Sequence, residues 1–149
     1  YGSTAGGTHS PFPEKRRIEM PLAEALCAGV SIGLSLKGFI PLQWVERMDF
    51  GLLCLDQWVN QLSKLQTLSQ GVHKPAVIIR VAVGNNNSPL FTGPTHTQCF
   101  SKAFRELLSF PVIDLKWPSS IINEYEKALH RAENGCSTML VEYKDLYTS

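Results

Sequence analysis

The sequence predicts an α/β protein built on a doubly wound, mostly parallel sheet with helices on both faces. Three observations predict it. Stretches of strand and helix character alternate along the chain, the order of strand–helix–strand units with right-handed crossovers. Ala76–Val83 (AVIIRVAV) is almost continuously apolar and β-branched, as a central parallel strand buried on both faces should be. Gly38, Gly71 and Gly135 fall where helical patterns stop, Gly38 as a left-handed cap.

The bulk properties bound the function. With 149 residues the chain is one domain's worth, long enough for a sizeable core. Its 44% apolar and 18% charged content is ordinary for a globular protein. The net charge is +1, and basic residues cluster only at Lys15-Arg16-Arg17, so the footprint of a nucleic-acid binder is missing. Apolar runs fall far short of the roughly 18–20 residues of a membrane span. YGSTAGGTHSPFP has neither the charged start nor the apolar block of a secretory leader. Cys27, Cys54, Cys99 and Cys136 form no C-x-x-C and read as reduced core thiols, which suits a bacterial cytoplasm or a mitochondrial matrix.

Residues 1–13 read as a loop or frayed end, with the folded domain expected over 14–149. The start at Tyr1 suggests a fragment. Arg16–Met20 is expected to be a short extended segment, and Pro21 suits the first position of a helix running from about Leu22 to Lys37. Ala25, Gly29 and Gly33 repeat there at spacing four, with Leu26, Val30 and Leu34 on a neighbouring face. Two glycines inside a helix cost about 1 kcal/mol each relative to Ala, so a packing reason is expected. A strand follows at Phe39–Glu46, then a helix from about Phe50 to Leu68 with Leu52, Leu55, Val59 and Leu62 at threes and fours. After Ala76–Val83, the stretch 84–96 (GNNNSPLFTGPTH) is too polar and glycine-rich to be packed. A helix is expected from Thr97 or Gln98 to Leu108 and a strand at Val112–Leu115. Ser119 or Ser120 should cap a helix to about Ala132, and Thr138–Tyr143 is the last strand.

Ligands of open parallel sheets sit beyond the carboxyl ends of the strands. Glu24 follows the first short strand, Phe50 the second and the 84–96 loop the third, so all three should emerge on one edge. Glu24 is the notable residue of the first helix, a lone acid among Ala25, Leu26, Cys27, Ala28, Val30 and Ile32. A first-turn acid is favoured by the helix dipole, which is the plain explanation. A carboxylate in such apolar company must otherwise be paired, half exposed or held for use. His96, just before a helix, has the chemistry of a proton shuttle or oxyanion partner, and equally that of a loop histidine bonded to backbone. Phe50 and Trp44 frame the second strand–helix junction, where an aromatic is either core or a flat surface for a heteroaromatic ring. Arg80 reads as an ion-pair partner of an acid at a strand end. His9, His73 and His130 have no assigned role, and no metal-ligand spacing occurs. Neither a phosphate-binding glycine loop nor a G-x-S-x-G elbow is present.

Together these residues resemble the pyrimidine-binding domain of thiamine-diphosphate-dependent enzymes, in the transketolase-like group. The family pattern is a Glu, four residues, Gly, apolar, two residues, Gly, apolar. Here it reads Glu24-ALCA-Gly29-Val30-SI-Gly33-Leu34. MPLAEALCAG, LDQWVN (Leu55–Asn60) and GPTHTQ (Gly93–Gln98) follow in order, most similar to the beta subunit of the decarboxylase component of 2-oxo-acid (pyruvate or branched-chain) dehydrogenases. The likeness runs from about Phe12 to Tyr147.

The resemblance implies roles for particular residues. Glu24 would hydrogen-bond the aminopyrimidine ring of thiamine diphosphate and promote its activation. Phe50 would stack on that ring, with Leu22 beside it, and His96 would face the substrate. The small-residue face of the Glu24 helix would pack against a second copy of the chain. No Gly-Asp-Gly occurs, so the diphosphate and Mg2+ would be held by an alpha-type partner subunit. The usual first strand and C-terminal domain of the beta subunit are likewise missing. An acyl group would pass to the lipoyl domain of an acyltransferase, and alone the chain would be inert. A transketolase-type or acetoin-cleaving component, a catalytically degenerate assembly module and an unrelated flavodoxin-like binding domain remain as alternatives.

Overall fold

Ile78–Val83 (β2) is buried at every position, and the other strands are laid beside it. The computed structural model describes residues 13–85 and 93–147. The loose end expected over 1–13, apart from Pro13, and most of the loop after β2 lie outside those residues. The remaining strands are β1 (Leu42–Val45), β3 (Val112–Leu115) and β4 (Thr138–Tyr143). All pairs are parallel, in the order β1-β2-β4-β3. The register sets Trp44 beside Arg80 and Arg80 beside Leu140.

Helices cover both faces of the sheet, as expected. On one face Ile79, Val81, Val83 and Val141 pack with Ala28 and Ile32 of helix α1 (Glu24–Leu36), Trp58 and Leu62 of the 48–62 segment, and Phe104 of α3 (Ser101–Leu107). On the other, Ile78, Leu115 and Leu140 pack with Ala128 and Ala132 of helix Ile121–Glu133. Gly38, expected as a left-handed cap, has φ of +87°, and Gly71 and Gly135, expected to close helices, also lie in the left-handed region at +82° and +76°.

Several elements differ from expectation for physical reasons. Arg16–Met20 is no strand: Glu14–Arg16 forms a 3-10 turn and 17–20 is not a strand of the sheet. That stretch is charged, and Ile18 is exposed, so it lacks the two-sided apolar character of a buried parallel strand. Helix α1 begins at Glu24 rather than Leu22, leaving Pro21 outside, its carbonyl accepting from the Ala23 N–H at 2.8 Å. The helix expected over 50–68 is three windings: a 3-10 helix Met48–Cys54, a π-helix Asp56–Leu62 and a short α-helix, α2 (Leu65–Leu68). Met48, Gly51 and Cys54 are buried at a spacing of three, which a helix of three residues per turn keeps on one face. Trp58 and Leu62 are then buried at a spacing of four in the wider winding. The core face is therefore not the Leu52–Leu55–Val59–Leu62 stripe, and Leu52 and Leu53 are exposed. Gly51 makes room for Trp58: a Cβ there would come within 3.1 Å of the indole. Ser120 begins the helix Ile121–Glu133 (α4) but does not cap it, since its hydroxyl donates to the Trp117 carbonyl at 2.9 Å.

Arg80, buried in the middle strand, finds its acid on the next one. Its guanidinium donates to both oxygens of Glu142 at 2.6 and 2.7 Å, and it lies 3.8 Å from the centre of the Trp44 ring. Tyr125 donates to the same carboxylate at 2.7 Å, and Tyr147 does so as well. Burial alone would raise the Glu142 pKa, but the hydrogen bonds from Arg80, Tyr147 and Tyr125 outweigh it and hold it below the ordinary value of 4.5. A depressed carboxylate pKa gives stability that is present above the unfolded value and lost as pH falls through the folded one. Glu142→Gln should therefore cost about 3–5 kcal/mol at neutral pH by stranding Arg80. It should also flatten the loss of stability of the full-length chain below about pH 4.5, read by urea unfolding from pH 3 to 7.

Candidate functional site

Helix α1 runs antiparallel to the strands, which sets where its acid lies. At its far end the Ser35 hydroxyl oxygen accepts the Ala76 N–H at 2.6 Å, just before β2 begins. At its near end the Cys54 thiol donates to the Glu24 carbonyl at 3.4 Å, just beyond β1. Glu24 thus stands at the carboxyl-end edge of the sheet without a strand leading into it. It is half-buried, and its carboxylate makes no hydrogen bond or ion pair among the described residues. Burial pushes the Cys54 thiol up to about 12, offset in part by the Gln43 hydrogen bond and reinforced by the Glu24 charge.

Phe50 and His96 are in contact at the same edge. Their ring centres are 5.2 Å apart at 86°, an edge-to-face pair, and both residues are half-buried. Three consecutive residues of the turn after β1 hold the His96 segment in reverse order. Met48 Sδ accepts the Phe100 N–H at 2.8 Å, Asp49 Oδ1 accepts from Gln98 Nε2 at 2.9 Å, and Phe50 meets His96. Thr95 Oγ1 lies 2.9 Å from His96 Nδ1. Gly84, directly after β2, is buried beneath this segment; a Cβ there would stand 2.0 Å from the His96 carbonyl oxygen. The start of the supposedly unpacked loop is therefore among the tightest backbone approaches of the fold. These grips keep 98–100 out of the helix expected from Thr97 or Gln98, so α3 starts at Ser101.

Other candidates fall elsewhere. Leu22 is fully exposed, on the approach to Glu24. Trp44 lies on the opposite face, over Arg80, with its indole N–H donating to Glu46 at 3.2 Å. Asp56 and Asn60 form an exposed ladder with Lys64. Cys99 is exposed rather than a core thiol; it lies 3.2 Å from the Ser101 hydroxyl, which donates to Asp114. All four cysteines are free. Among the described residues no group of three His, Cys, Asp or Glu is arranged to hold a metal ion, and no helix is long and apolar enough to cross a membrane. Sequence reasoning missed Asp49, Met48 and Gly84. Asp49 adjoins Phe50 and Gln98 ends the GPTHTQ motif, but nothing in either stretch signals that they meet.

The parallel sheet with a polar and aromatic cluster at its carboxyl edge defines a doubly wound α/β protein with its candidate site in the usual place for that class. No protein-family model matches the chain. It is 24% identical over 128 residues to the mitochondrial pyruvate dehydrogenase E1 component subunit beta of Rattus norvegicus, covering 86% of this chain and 34% of that protein. The Saccharomyces cerevisiae counterpart is 28% identical over 102 residues, 68% of this chain and 27% of that protein. The 3-methyl-2-oxobutanoate dehydrogenase subunit beta of Mycobacterium tuberculosis is 32% identical over 75 residues, 50% of this chain and 22% of that protein. The chain spans about a third or less of the length of these curated relatives. The resemblance read from the sequence is borne out: the chain is similar to beta subunits of 2-oxo-acid dehydrogenases.

A side chain at 84 cannot be accommodated without moving the His96 backbone. Gly84→Ala should destabilise the full-length chain by about 1–3 kcal/mol. It should also speed amide exchange across 93–100 while leaving β4 unchanged, as measured by hydrogen-exchange mass spectrometry.

Proposed function

We propose that this chain supplies the pyrimidine side of a thiamine-diphosphate site in a 2-oxo-acid dehydrogenase. The observation that carries the reading is the Phe50–His96 contact on the edge where the Glu24 carboxylate has no partner among the described residues. The residues present suit the cofactor's pyrimidine half. Glu24 offers a half-buried acceptor with no partner among the described residues, and Phe50 offers an aromatic surface on the same edge. Thiamine diphosphate, when bound, supplies the electron sink that 2-oxo-acid cleavage requires. In this reading Glu24 would hydrogen-bond a ring nitrogen of the aminopyrimidine and could exchange a proton there, and Leu22, on the approach to α1, would lie beside the same ring. His96 would face the substrate, where an imidazole can hydrogen-bond a developing charge.

The rest of the site belongs to other chains. The diphosphate and Mg2+ are assigned to an alpha-type subunit, which the likeness to subunits named beta suggests. A second copy of this chain is the partner for α1, whose Ala25, Gly29 and Gly33 are exposed, with nothing within 4 Å of a Cβ built at either glycine. Leu26 and Leu36 on the same helix are exposed as well, which favours association through that face. The acyl acceptor is the lipoyl domain of an acyltransferase, in a mitochondrial matrix or a bacterial cytoplasm.

Glu24→Gln in the assembled enzyme tests the reading. It keeps the size and a hydrogen-bonding head but removes the proton acceptor, so turnover of 2-oxo acids should fall by about 10²-fold or more, in the range of general acid–base contributions. Unchanged turnover would instead mark the chain as an assembly module.

A further inference from the structure

We propose that Asp49, acting through Gln98, is a positioning residue that fixes His96 against Phe50. The catalytic part of this inference rests on the function proposed above, whereas its structural part stands alone. Met48, Asp49 and Phe50 are consecutive, and each engages an alternate residue of 96–100 in reverse order. The outer two contacts are a backbone N–H on sulfur and a ring pair, both tolerant of sliding. The middle one, Gln98 Nε2 to Asp49 Oδ1 at 2.9 Å, is the directional bond of the set, two residues from the imidazole. Gly84 closes the segment from below, so the backbone at His96 is bounded on one side by β2 and on the other by this bond.

Asp49 is a poor choice for stability at this place. It is only 8% exposed, and its Oδ2 is buried without a hydrogen-bond partner among the described residues. A neutral amide on one oxygen does not compensate a buried carboxylate, and an apolar side chain would fit the surrounding core with less desolvation. A local conflict of this kind, next to a candidate imidazole, is the pattern expected where geometry is held at the expense of stability.

The test uses the full-length chain assembled with its partner subunits. Asp49→Leu removes the acceptor, Asp49→Asn keeps an oxygen for Gln98, and Gln98→Met breaks the same bond from an exposed residue that the core does not need. Asp49→Leu is expected to melt at or above wild type, whereas Gln98→Met, which leaves the buried Asp49 carboxylate without its donor, should melt below it; both should show faster amide exchange over 93–100. Their kcat on a 2-oxo acid should fall at least about tenfold with KM within twofold, since small misplacements of a reacting group cost this much or more. Asp49→Asn should restore exchange and bring kcat within about threefold of wild type. Unchanged exchange in both bond-breaking variants overturns the inference. So does unchanged kcat, or an Asn variant that behaves like the Leu variant. If the wild-type assembly turns over no 2-oxo acid, the proposed function fails, and the exchange measurements alone decide whether Asp49 positions His96.

Discussion

An arginine in the middle of a fully buried strand has to be neutralised in place, and that requirement organises the sheet. Arg80 lies on β2 with strands on both sides and can reach an acid only on a neighbour in the right register. Glu142 on β4 meets it with both oxygens, and the tyrosines at 125 and 147 complete the carboxylate from α4 and from the chain beyond β4. A one-residue slip of β4 would turn Glu142 to the opposite face and leave two bare charges in the core. The pair therefore specifies register as well as contributing to stability. It also occupies the α4 face of the sheet, so the polar demands of the centre are met away from the candidate site.

Apart from Gln43, whose amide oxygen accepts from the Trp58 indole, the other face is apolar towards the carboxyl ends of β1 and β2. There the close approach of Gly84 to His96 and the three-rung grip of 48–50 on 96–100 convert a connecting segment into a fixed wall. Helix α1 brings Glu24 to that edge by running back along the sheet, tied at one end through Cys54 and at the other through Ser35. What results is a candidate half-site: an imidazole and an aromatic ring held by the fold, and a carboxylate without a hydrogen bond or ion pair among the described residues. The exposed apolar face of α1 belongs to the same account, because a surface without charge from Ala25 to Leu36 is suited to another chain rather than to water.

The fold was legible because its signals are local. The β-branched run of β2, the three left-handed glycines and the amphipathic helix Ile121–Glu133 each need only a short window to recognise. The candidate residues Glu24, Phe50 and His96 were singled out through the resemblance of the stretches that carry them, and Phe50 and His96 do meet. The 48–62 windings were not, because leucines at 52 and 53 mimic a core stripe while the true face is set by Trp58 seeking room beside Gly51 and Phe104. Nor was the Asp49–Gln98 bond, which joins residues 49 positions apart and leaves no periodic trace. Gly84 was misread for the same reason, since a glycine after a strand looks alike whether it ends in solvent or beneath another backbone.

The central claim is that this chain contributes one side of a composite cofactor site. A structure of the full-length chain assembled with its diphosphate-binding partner and thiamine diphosphate tests it most directly. The account predicts the aminopyrimidine ring at the carboxyl edge of β1 and β2. Glu24 should then lie within hydrogen-bond distance of a ring nitrogen, Phe50 on the ring face, and His96 towards the open side. A pyrimidine ring held wholly by the partner, or one with Glu24 turned away from it, would contradict the account.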